Sequence, residues 1–152
     1  AKYDFKKKFI ILKGISQSIE SKKFKINSNK FLSFDDINKV AKSEGDVRLL
    51  LKGPTSIFSE KINANFDKFN NILTAATAEG NVKIKTKLET ITSDSAKYEG
   101  KTNLISLRGN VIIRKGDSIL TGEKGYFNLN TRKSRIESGK SKRVKGVFRP
   151  SN

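Results

Sequence analysis

The sequence contains no Cys, His, Met or Trp, and only 2 of its 152 residues are Pro. Without thiolate or imidazole it has no material for a zinc cluster, a Ser-His triad or a Cys nucleophile. Acidic side chains are scarce: 15 Asp plus Glu stand against 32 Lys plus Arg, a net charge of +17. That balance points to an anionic partner such as nucleic acid, lipid headgroups or an acidic protein. Long apolar runs are missing as well. The longest near the start, Phe9-Ile10-Ile11-Leu12, is strand-sized and far short of the about 20 residues of a membrane span. Lys6-Lys7-Lys8 precedes it, but the run is too short for a secretory signal, so a chain opening at Ala1 reads as mature or trimmed. A chain without thiols fits any redox compartment. Its length suits one domain over residues 1–152, and 35% hydrophobic residues suffice for a core.

What is present alternates. Val82-Lys83-Ile84-Lys85, Val47-Arg48-Leu49 and the stretch from Ile57 onward read as strands with one buried face. β-branched residues are abundant, and Gly, Asn and Asp punctuate at short intervals. The best helix candidate, Asp35 to Lys42, supports one turn at most. The class is all-β with many short strands.

The alternation is organised as a repeat. Glu44-Gly45-Asp46-Val47, Glu79-Gly80-Asn81-Val82 and Arg108-Gly109-Asn110-Val111 form one tetrad column, spaced 35 and 29 residues. A second column runs Ile62-Asn63-Ala64-Asn65, Ile91-Thr92-Ser93-Asp94 and Leu120-Thr121-Gly122-Glu123, with Ile26-Asn27-Ser28-Asn29 upstream. A third places Phe69, Tyr98 and Phe127 in register. Repeats of this size in an all-β pattern imply stacking along one axis. The Gly-Asx pairs supply positive φ for a tight connection or bulge. The following Val-x-Ile turns Val82 and Ile84, then Val111 and Ile113, inward, and Ala76 and Ala78 answer Ile105 and Leu107.

The run Gly109-Asn110-Val111-Ile112-Ile113-Arg114-Lys115-Gly116-Asp117-Ser118-Ile119-Leu120-Thr121-Gly122 resembles the repeat of the OstA-like family typified by LptA, periplasmic lipopolysaccharide-transport proteins. So does Ile91-Thr92-Ser93-Asp94-Ser95-Ala96-Lys97-Tyr98, and the ending from Ser141 to Pro150 is similar to that family's last strand. The resemblance implies a twisted, incompletely closed β-jellyroll of about sixteen antiparallel strands, built from repeats of about 29–36 residues. It also implies a role: binding lipid A acyl chains in an apolar groove, and carrying lipopolysaccharide across the periplasm in a head-to-tail bridge. The implied partners are lipopolysaccharide, an LptC-like inner-membrane protein at the N-terminal edge and an LptD-like outer-membrane protein at the C-terminal edge. A head-to-tail homo-oligomer is a further implication.

The groove candidates are Val82, Ile84, Ile91, Tyr98, Ile105, Leu107, Val111, Ile113, Ile119 and Phe127. The plainer reading makes them the core of a β-sandwich, and in this fold core and groove share one inward face. Lys140, Lys142, Arg143, Lys145 and Arg149 are candidates for headgroup or partner contact, although basic runs such as these, Lys6-Lys7-Lys8 and Lys22-Lys23 are ordinarily a solvated face. The C-terminal cluster alternates with Val144 and Val147-Phe148, as in a terminal strand open to pairing. The strand around Phe9–Leu12 would offer the opposite edge. Asp94, Glu123 and Asp117 invite a glycosidase reading, but Asn65 and Asn29 fill the same column elsewhere, which reads as turn chemistry. Asp35-Asp36 lacks the spaced ligands of a calcium loop. The expectation is therefore a carrier, with no enzyme activity, cofactor or metal. Alternatives from other classes are a basic β-protein binding nucleic acid, against which the dispersed aromatics speak, and the periplasmic domain of an LptC-like partner.

Overall fold

A computed structural model describes residues 2–4, 8–51, 53–137 and 145–147. Thirteen antiparallel strands among them form one connected sheet: β1 (Lys2–Asp4), β2 (Phe9–Lys13), β3 (Gln17–Glu20), β4 (Phe24–Ser28), β5 (Phe31–Asp35), β6 (Val40–Leu51), β7 (Ser56–Phe66), β8 (Leu73–Lys85), β9 (Thr90–Glu99), β10 (Leu104–Lys115), β11 (Ser118–Asn128), β12 (Ser134–Glu137) and β13 (Lys145–Val147). The resemblance implied about sixteen; thirteen fall within the described residues. No described helix is long and apolar enough to cross a membrane. The Asp35–Lys42 segment makes a turn at residues 36–39 before β6 begins.

The sheet is folded on itself. β7 has 11 residues, so its ends lie about 33 Å apart at 3.3 Å per residue. Phe24 pairs with Leu51, beside the Ser56 end of β7, yet its ring stacks on Phe66 at the other end, with centroids 4.0 Å apart. Only a crease across the long strands allows both.

The crease lies at the Gly-Asx pairs. Gly45-Asp46, Gly80-Asn81 and Gly109-Asn110 all have positive φ, from 45° to 83°. The ladder slips at each, between Glu44 and Val47, Glu79 and Val82, and Arg108 and Val111. Gly and Asx tolerate the left-handed region best, and such a bulge bends its strand. The intervening strands are bent by side chains: Ser59 Oγ donates to the Lys61 carbonyl (2.8 Å) and Ser93 Oγ to the Ser95 carbonyl (3.0 Å). β6 to β11 thus each contribute to two leaves. β2 and β5 extend the first leaf and β3 and β4 the second, while β12 and β13 finish the first and second respectively. Among the described residues this is an all-β, twisted jellyroll that does not close, with β1 and β3 at one end and β12 and β13 at the other.

Cross-strand rows fill the interior. In the second leaf Ile26, Leu49, Ile57, Ile84, Ile91, Ile113 and Leu120 are successive partners. In the first leaf a row runs Ala41, Ala64, Ala76, Tyr98, Ile105 and Phe127. Small residues of one leaf receive the large ones of the other. The void between Leu49, Ile57, Ala76, Ala78, Ala96 and Ile105 is only about 10 Å³, room for a single water at most.

The rows correct two sequence columns. The residue matching Ile91 and Leu120 in β7 is Ile57, five positions before Ile62, because the first unit is longer. The residue matching Tyr98 and Phe127 is Ala64; Phe69 sits on the β7–β8 turn, 94% exposed. Asp94 does not belong to a turn. It lies in β9 over Gly109 and accepts two hydrogen bonds from Asn110 Nδ2 (3.0 and 3.2 Å), as Glu60 accepts one from Asn81 (2.6 Å). The strand around Phe9–Leu12 is also no edge, since β1 pairs along its outer side.

Candidate functional site

The crease closes one side of the roll, and the hairpin ends border the other. From the first leaf come the turns at 36–39, 67–72, 100–103 and 129–133; from the second, those at 53–55, 86–89 and 116–117. Three of the four turns in the first set, all but 100–103, are built by one device. Asp35 Oδ1 accepts from the Ile37 and Asn38 amides, Asp67 Oδ1 from those of Phe69 and Asn70, and Asn128 Oδ1 from those of Asn130 and Thr131. Lys39, Asn71 and Arg132 then take positive φ to enter the next strand. The hydrogen bond from the Asn38 amide, helped by the Asn38 side chain and the Ile37 amide, holds the Asp35 carboxyl below its usual pKa.

Between the two sets lies a cavity of about 400 Å³, within the 300–1,000 Å³ range common for small-molecule sites. Leu51, Leu73, Tyr98 and Phe127 form its floor, and Ile72, Leu88 and Leu129 its apolar walls. Lys23, Lys87 and Arg132 line it as well, and all three are exposed. The Tyr98 hydroxyl donates to Asn103 Oδ1 at 3.1 Å. Burial raises the Tyr98 pKa above its usual value, so the phenol stays a neutral donor at neutral pH. Glu89 is the one carboxylate of the lining among the described residues. An apolar floor with a cationic rim can hold a chain-like apolar group and keep an anionic head at the edge.

The sequence-predicted residues divide on this geometry. Tyr98 and Phe127 line the open cavity. Val82, Ile84, Ile91, Ile105, Leu107, Val111 and Ile113 are buried between the leaves. Ile119 is a correction: it pairs with Arg114 and Val147 on the outer face, and Leu120 takes the inward position opposite Ile113. Adjacent strand residues face opposite ways, and the register of β11 differs by one from that assumed. Lys145 is exposed on β13; Lys140, Lys142, Arg143 and Arg149 lie outside the described residues. Leu51, Leu73, Leu129 and Glu89 were missed. Leu51 continues the alternation of Val47 and Leu49, and Leu129 that of Phe127, so the period was there to be followed. Glu89, in a loop-like polar stretch, carried no such signal.

The model of the family described as LptA/(LptD N-terminal domain) LPS transport protein matches residues 25–133 and 90–146. The crystal structure of LptH from Pseudomonas aeruginosa, the LptA-homologous periplasmic component of the lipopolysaccharide transport device, is similar to this chain. The TM-score is 0.71 at 16% identity, covering 84% of this chain and 95% of that one. No curated protein matches significantly.

Proposed function

Because the chain belongs to the family of LptA and LptD N-terminal-domain lipopolysaccharide-transport proteins, we propose that it is a carrier that shields the acyl chains of lipid A during transit of the periplasm. The observation that carries this reading is the apolar cavity between the two rows of hairpin ends, with cations at its rim. An acyl chain in water exposes apolar surface at about 0.8 kcal/mol per CH₂. The floor of Leu51, Leu73, Tyr98 and Phe127 replaces that water contact. Lys23, Lys87 and Arg132 meet the headgroup phosphates. Parting the leaves would extend the same apolar track along Ile84, Ile91 and Ile113.

The open ends supply the bridge. Edge strands offer unpaired backbone groups to another sheet. β1 and β3 would receive an LptC-like protein or a preceding copy, and β12 and β13 a following copy or an LptD-like protein. Such heterologous contacts do not close on themselves and propagate head to tail.

The test is photo-crosslinking to lipopolysaccharide from probes at Phe127 and Leu88, with Lys83 on the outer face as control. Adducts at the first two and none at Lys83 are expected. Equal adducts at all three, or adducts only at Lys83, would refute the reading.

A further inference from the structure

Glu89 has no role in the folding of the roll that accounts for its surroundings. It is 5% exposed, and its Oε2 is buried with no hydrogen-bond partner among the described residues. Oε1 has one long contact, 3.5 Å from the Nζ of Lys115. The residue is held firmly. Its amide donates to Thr86 Oγ1 (3.0 Å), and its carbonyl accepts from the Thr86 amide (3.0 Å). The residue lines the cavity and is held there by a fixed turn, with Oε2 just beneath the surface of the wall. Leaving a buried acceptor unpaired costs free energy that no neighbour here returns.

We propose that Glu89 Oε2 accepts a hydrogen bond from the bound ligand, so that the cavity selects an anionic amphiphile whose acyl chain carries a neutral O–H or N–H donor near its head. This rests on the cavity being the acyl site proposed above. The donor is neutral because Lys23, Lys87 and Arg132 line the same cavity and disfavour a cationic ligand, while the anionic head stays with them at the rim. An unsubstituted chain would bury Glu89 further and satisfy nothing, so the preference arises from the cost of the unpaired acceptor as much as from the new bond.

Competitive displacement of a fluorescent fatty acid tests this with three probes of equal chain length: tetradecanoate, 3-hydroxytetradecanoate and N-tetradecanoylglycine. Wild-type protein is expected to bind one or both donor-bearing ligands about tenfold more tightly than tetradecanoate, the scale of a hydrogen bond to a charged group. Which of the two gains separates O–H from N–H recognition. In Glu89→Leu the preference should vanish and tetradecanoate should bind as well as or better than to wild type. Glu89→Gln, a closer isostere, should cut the preference to about threefold or less. Equal affinity of all three ligands for wild type, or a preference that survives in Glu89→Leu or is undiminished in Glu89→Gln, overturns the proposal and leaves the acyl-site reading standing. Failure of every ligand to displace the probe overturns both.

Discussion

The crease makes a quantitative demand on Gly109. A Cβ added there would lie 2.8 Å from Asp94 Cγ and 2.9 Å from Asp94 Cβ, at a backbone φ of +74°. The left-handed conformation alone costs an L-residue about 1–2 kcal/mol. Asp94 cannot swing aside cheaply, because its Cβ is part of the obstruction and its carboxylate holds Asn110. Forcing it off its rotamer adds about 0.5–1.5 kcal/mol. Gly116 provides the control, with φ +54° and nothing within 4 Å of the added atom. Gly109→Ala should therefore destabilise by about 2–3 kcal/mol and Gly116→Ala by about 1–2 kcal/mol. The entropic gain of Gly→Ala in the unfolded chain is common to both and cancels. Urea unfolding followed by circular dichroism measures the difference, which corresponds to about 2–4 °C in melting temperature per kcal/mol for a chain of this size. If the two variants agree within about 0.5 kcal/mol, the close approach of β9 to the bulge does not shape the crease. Recovery in the Gly109→Ala/Asp94→Gly double variant of the part beyond the φ cost would assign it to that contact.

Other residues separate as sharply. Ile84→Ala empties a fully buried position and should cost about 2–5 kcal/mol, whereas Phe69→Ala at the exposed turn should stay within about 0.5 kcal/mol of wild type; thermal melts of the two decide it. Phe24 and Phe66 stack across the leaves, so a double-mutant cycle to Leu should give a coupling of about 0.5–1.5 kcal/mol, and zero coupling would argue against a folded sheet. The depressed pKa of Asp35 stabilises the fold above its unfolded value of about 3.9 and ceases to do so as pH falls through the folded value. The stability gap between wild type and Asp35→Ala should accordingly be constant near neutrality and shrink in acid, with the Asp35 carboxyl titrating below the usual range by NMR.

The inward faces and the Gly-Asx irregularities were legible in the sequence because both rest on local rules. The expected many short strands, however, are from β6 to β11 strands of 10 to 13 residues that run on through the bulges. Period-two alternation fixes a buried face, and a Gly-Asx pair inside such a run has few backbone states open to it. Ala76 and Ala78 fall in the same rows as Ile105 and Leu107, as their spacing from the tetrads implied. What failed was register. Ile62 stood in for Ile57 and Phe69 for Ala64 because the first unit carries extra residues that no local signal marks. Ile119 and Leu120 are both apolar, so alternation could not choose between them. The cavity was less legible still. Tyr98 and Phe127 were identified as inward, but their separation from the closed core depends on where the opposite leaf's hairpins end. That is a tertiary fact, and Glu89, which lies on one of those hairpins, was invisible without it.

The three aligned bulges have a mechanical consequence. Each long strand passes through the crease into both leaves, so the molecule is bound along a spine, as pages are. Widening the gap at the fore-edge turns a few left-handed torsions and leaves the ladders on either side paired. Aperture and strand pairing are in this way separate coordinates. Under the carrier reading proposed above, guests of different girth would be taken up along the length of the roll by a shared rotation about one axis, while the ladders that join one unit to the next stay intact.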